Sequence, residues 1–143
     1  MDTNIFIHKM PVLFADTDMA GIVHFSNFYR YFEASEHALL QHLEIPLINV
    51  QGMKGWPRVH ASCSFCAPLR YPDQIQIHTH ITSIGNSSLT LNHKIINQNG
   101  IVAADAEATI VYAQMGTDQD LSTISIPKEW RRKFERYYIE PKN

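Results

Sequence analysis

Residues 14 to 29 read Phe-Ala-Asp-Thr-Asp-Met-Ala-Gly-Ile-Val-His-Phe-Ser-Asn-Phe-Tyr, setting two carboxylates and a glycine directly ahead of a helix start. Asp18 is thereby a candidate base beside a helix N-terminus, whose unpaired N–H groups can hold a developing oxyanion. The combination suits attack at a carbonyl, where negative charge builds on oxygen. Other reactive residue types offer less. Cys63 and Cys66 form the only CxxC in the chain. They lie in an extended-looking segment, where positions three apart point to opposite faces. No second Cys or Cys/His pair stands at ligand spacing to complete a zinc set, so no metal is expected and the cysteines read as small buried hydrophobes.

The acid-bearing segment is positioned by elements that the sequence outlines well. An extended stretch, Ile5 to Phe14, leads into it, and Ser26 or Asn27 is the expected N-cap of the helix that follows. Phe28, Phe32, Leu39 and Leu43 form the apolar stripe of that helix, widened by Tyr31, Ala38 and Leu40, with Glu33, Glu36 and Gln41 outside it. Pro46 ends it. Four runs with a two-residue period follow, Arg58–Ala67, Gln74–Ile84, Ser88–Ile96 and Ile101–Ala113, with turn residues Gly85-Asn86 and Asn99-Gly100 between the later ones. Strands joined by such short turns must be antiparallel, and a long helix followed by a meander gives an α+β domain. The tail from Ile126 to Tyr138 reads as a short basic helix, about 127–138, with Trp130, Phe134 and Tyr137 on its apolar face.

Composition bounds the partners. The chain has 143 residues, one domain's worth, with 45% hydrophobic and 18% charged residues. A formal net charge of −2 gives no non-specific hold on nucleic acid. The N-terminus has neither the basic start nor the apolar run of a signal peptide, and no stretch approaches a membrane span, so a cytoplasmic location away from membranes is expected.

The string Asp16-Thr17-Asp18-Met19-Ala20-Gly21-Ile22-Val23, followed by His24-Phe25-Ser26-Asn27-Phe28, resembles the signature of the 4-hydroxybenzoyl-CoA thioesterase family, whose members adopt the hotdog fold. The downstream pattern Phe65, Pro68, Asp73 and Ser87-Ser88 is also similar, and the resemblance covers roughly residues 5 to 128. It implies one hotdog domain over residues 1–143, with an antiparallel sheet of about five or six strands wrapped around a long central helix. It further implies hydrolysis of an acyl-CoA or aroyl-CoA thioester without metal or cofactor. The assembly implied is a homodimer or homotetramer with sites at subunit interfaces.

Carried over by motif, the family's catalytic aspartate falls on Asp18 and its oxyanion donor on the backbone N–H of Phe25, while Asp16 is structural. Asp18 would act as general base on water or as nucleophile toward the thioester carbon. Gly21 lets the chain turn sharply, so that acid and N–H approach one carbonyl from two sides. His24 stands where an aromatic residue is expected and is a candidate to orient water or act as a second base. Glu33 is a reserve acid on the helix. His60, Ser87, Ser88 and Arg70 are candidate substrate contacts, and Phe25, Phe28, Tyr29, Trp56 and Phe65 candidate walls of an acyl pocket. No cation stands in the Gly85-Asn86-Ser87-Ser88 turn, where coenzyme A phosphates would want one; Arg58, Lys94 or the basic tail are the other candidates. An acyl carrier protein as carrier, or a non-catalytic acyl-thioester binding or scaffold module, is the alternative.

Overall fold

A computed structural model describes residues 4–116, 118 and 120–142. After strand β1 (Phe6–Pro11) the chain makes a 3-10 turn at Phe14–Asp16 and enters helix α1 (Phe25–His42). Two short strands, β2 (Ile48–Asn49) and β3 (Lys54–Gly55), precede the long ones, β4 (Arg58–Phe65), β5 (Gln74–Ile84), β6 (Ser88–Ile96) and β7 (Val102–Val111). Strands β8 (Ala113–Met115) and β9 (Leu121–Thr123) lead to helix α2 (Lys128–Glu135).

The longer strands form one antiparallel sheet in the order β1-β5-β6-β7-β4. Alternation decides its faces as expected: Ile75, Ile77, Thr79 and Ile81 of β5 and Leu89, Leu91, His93 and Ile95 of β6 are all buried. The expected last strand, Ile101–Ala113, is divided. β7 stops at Val111, Tyr112 donates its N–H to Ser87 O, and β8 continues into a second small sheet, β2-β3-β8-β9. Strands of two or three residues carry no period to read in the sequence.

Helix α1 is eighteen residues long and packs its apolar side in two blocks. Phe28, Tyr31 and Phe32 join Val23, Leu69 and Ile77 in one cluster; Leu39, Leu40 and Leu43 join Ile81, Leu91 and Phe134 in the other. A polar layer separates them. Ser35 Oγ bonds Thr79 Oγ1 at 2.7 Å, Thr79 Oγ1 bonds His93 Nδ1 at 2.7 Å, and His93 Nε2 meets Glu36 Oε2 at 3.0 Å. Arg58 completes the layer with two bonds to the Glu36 carboxylate, at 2.8 and 3.0 Å. Glu36 thus lies inside, contrary to its expected place off the stripe. Arg58 reaches it from the start of β4, where the pairing with β7 shifts register between Arg58 and His60.

The terminal helix is shorter than expected, with Pro127 in the capping position and Phe134 fully buried. Two of its cations are structural. Arg131 donates to Gly85 O and Asn86 O, so a cation does stand at that turn, and Lys133 donates to Leu43 O just past α1. Trp56 packs here too, against Tyr112, Trp130 and Phe134.

Candidate active site

The acid and the helix start meet through a small hairpin. Asp18 N–H donates to Ile22 O at 2.8 Å, His24 N–H to Asp16 O at 3.1 Å, and Gly21 N–H to Asp18 O at 3.0 Å. Gly21 takes φ +79°, which an L side chain rarely adopts, and this closes the turn. The Asp18 carboxylate is exposed, and its Oδ1 accepts the Ala20 N–H at 2.8 Å, a charge-assisted bond that orients it.

Helix α1 begins two or three residues earlier than the capping preferences suggest. His24 is the N-cap: its Nδ1 lies 3.3 Å from Ser26 N and 2.7 Å from Ser26 Oγ, and its carbonyl accepts Asn27 N–H. The reason is the hairpin, whose bond from His24 N–H to Asp16 O fixes that residue in extended conformation before the helix can start. Ser26 and Asn27 are freed for other work, and the Asn27 amide donates to Asp16 O. The first helical N–H, that of Phe25, has no acceptor among the described residues, as expected of the first turn of a helix.

Asp18, His24 and Phe25 line one cleft of about 430 Å³ together with Ile22, Val23, Phe28, Phe65, Cys66, Ala67 and Pro68. Phe65, at the end of β4, packs edge-on against Phe25 and Phe28 and forms the apolar wall. Cys66 and Ala67 also line the cleft, though nothing in their residue types or spacing marks them for a site. Cys66 follows β4 and is exposed, whereas burial pushes the Cys63 thiol up to about 11.

The other candidate residues stand elsewhere in this chain. Glu33 is exposed on α1 outside the cleft and adds only a minor charge interaction to Arg58, whose guanidinium is raised, against burial, mainly by its bonds to Glu36. His60 is exposed on β4, paired across from Thr109. Arg70 flanks the cleft, with its backbone paired to Ile22 and bonded to Asp73. Ser87 lies in the β5–β6 turn and Ser88 opens β6, both away from the cleft, and Tyr29 and Trp56 do not line it. Among the described residues no cluster of His, Cys, Asp or Glu could hold a metal ion. No helix of the described residues is long and apolar enough to cross a membrane.

An acid on an ordered turn and a helix start with an unfilled N–H, lining one apolar cleft, equip a protein for hydrolysis at an activated carbonyl. The thioesterase-like superfamily profile matches residues 12–134, and the chain belongs to that superfamily. A putative esterase from Aquifex aeolicus is 31% identical over 126 residues, spanning 87% of this chain and 93% of the relative. A 1,4-dihydroxy-2-naphthoyl-CoA hydrolase from Crocosphaera subtropica is 31% identical over 104 residues, 71% of this chain and 76% of that one. Among solved structures, a gentisyl-coenzyme A thioesterase superposes with a TM-score of 0.79 at 32% identity, over 90% of this chain and 99% of the other. The fold is that of the hotdog thioesterases, and the protein is a thioester hydrolase.

Proposed function

We propose that hydrolysis runs through Asp18 and the Phe25 N–H. The observation that supports this most is their presence in one cleft, the carboxylate oriented by Ala20 N–H and the helix-terminal N–H unfilled. With the thioester carbonyl between them, Asp18 takes a proton from water as it attacks the carbonyl carbon, or attacks that carbon itself and yields a mixed anhydride that water opens. Either way the carbonyl oxygen becomes an oxyanion against Phe25 N–H, a contact worth on the order of 3 kcal/mol in the transition state. Collapse expels the thiolate, which is protonated, and leaves the free acid. His24 lines the same cleft, but its Nδ1 is engaged in the cap, so Nε2 is the atom left to meet water or the acyl group.

The working assembly in this reading is a homodimer or dimer of dimers, with the sheet wrapped around α1 in each copy. β4 supports it: an edge strand with only Cys63 half-buried, it exposes residues on both faces, Val59 and Phe65 among them. An unpaired edge of this kind is a template for a second strand, and a second copy would also bring further residues to the cleft beside Phe65. The two free thiols fit a cytoplasmic setting. A thiol-release assay across short, long, branched and aromatic acyl-CoA thioesters, with acyl carrier protein thioesters alongside, tests the reading. Release from at least one CoA thioester is expected, and tight acyl-CoA binding with no release from any would overturn it.

A further inference from the structure

The Asp16 carboxylate takes no part in the chemistry above, yet it is only 1% exposed while Asp18 is open to solvent. Its Oδ1 accepts from Arg30 Nη1 at 2.8 Å and its Oδ2 from the Tyr31 hydroxyl at 2.9 Å. Its carbonyl oxygen accepts from the Asn27 amide at 3.0 Å and from His24 N–H at 3.1 Å. All four donors come from the N-cap and first two turns of α1. Side chain and main chain of this one residue therefore tie the acid-bearing hairpin to the helix start.

We infer that Asp16, with Tyr31 and Asn27, is a positioning unit that sets where the Asp18 carboxylate stands relative to the Phe25 N–H, a role that rests on the proposed parts of those two groups. Asp16 comes two residues before Asp18, and His24 directly precedes Phe25. The bond between Asp16 O and His24 N–H is thus a strut between the acid and the donor. The Asn27 amide doubles that strut, and the grip of Tyr31 and Arg30 on the carboxylate fixes the angle at which the carbonyl is presented.

Stability alone is a poor account of a buried acid here. Taking a carboxylate out of water is costly unless its partners are well placed, and an apolar residue of similar volume often serves a core as well or better. Arg30 is 64% exposed, so its attraction is screened. What an apolar residue cannot supply is direction, which two oxygens on two fixed donors provide. Burial, and then the bond to Asp16, push the Tyr31 hydroxyl up to about 12, so it remains a donor over the whole working range of pH. A misplacement of about 1 Å between reacting groups can lower a rate about 100-fold.

Tyr31→Phe and Asn27→Ala each remove one strut while leaving the fold's large apolar contacts in place. With the CoA thioester that wild type cleaves fastest, and well below each variant's melting midpoint, kcat is expected to fall about 10- to 100-fold with KM within about twofold. Asp16→Asn, which keeps one acceptor oxygen, should retain more of kcat than Asp16→Ala. If Asp16→Ala does not fold, the Tyr31 and Asn27 variants carry the comparison. Folded Tyr31→Phe and Asn27→Ala proteins with wild-type kcat would overturn the positioning role. Asp18→Asn, assayed alongside, separates the two failures: if it is inactive while the strut variants turn over normally, only the positioning role falls. If Asp18→Asn itself turns over normally, the acid is wrongly assigned and the positioning role falls with it.

Discussion

Glu36 is where charge and burial conflict most directly. Burial pushes its carboxyl up, but the hydrogen bonds from His93 and Arg58 outweigh that and hold it below its ordinary value of 4.5. A carboxylate depressed in the folded state contributes stability above its unfolded pKa and loses that contribution as pH falls through the folded value. Glu36→Gln, which leaves Arg58 and His93 without their anion, is expected to cost about 3 kcal/mol near pH 7 by urea midpoint. The gap between the two proteins should narrow as the pH drops below about 4. A gap that stays constant over that range would show that Glu36 is not held ionised. The sequence could not reveal this layer, because Arg58 and His93 lie 22 and 57 residues away along the chain and helical periodicity sorts a glutamate outward. The turn that brings Asp18 and the start of α1 to one cleft, by contrast, is legible in the sequence, since the acid, the glycine and the helix start all fall within one short segment.

The hairpin from Asp16 to His24 and the start of α1 act as one element. Gly21 makes it possible at φ +79°, and nothing lies within 4 Å of where a Cβ would stand, so substitution meets no clash. Gly21→Ala should therefore lower stability by only about 1 kcal/mol, the conformational cost of a left-handed alanine, as read from denaturant unfolding. A loss of several kcal/mol would mean the turn is packed more tightly than this. The bounds of β5 and β6 could be read from alternation alone, down to the residue. The cap could not: preference favours Ser26 or Asn27, and the tertiary bond from His24 N–H to Asp16 O overrides it.

For the molecule as a whole, β4 is an exposed edge of the main sheet. Every other long strand buries one face, whereas β4 exposes both, and Val59 stands 61% exposed at the register shift. Two copies joined along this edge would hide Val59 and place a second chain beside the Phe65 wall of the cleft. Light scattering should give wild type a mass of at least two chains, and Val59→Asp should shift it toward one chain with lowered turnover. A monomeric and fully active wild type would rule that assembly out. The sheet order that makes β4 an edge depends on pairings between distant strands, which the two-residue period does not encode.

The most direct test of the chemistry is turnover by Asp18→Asn, set against wild type on the same CoA thioester and with folding checked by thermal unfolding. The expected result is a fall in kcat of about 100- to 10,000-fold with the melting midpoint nearly unchanged, because the exposed carboxylate contributes to reaction more than to packing. A folded Asp18→Asn protein that releases thiol at the wild-type rate would contradict the assignment of Asp18 as the catalytic base or nucleophile.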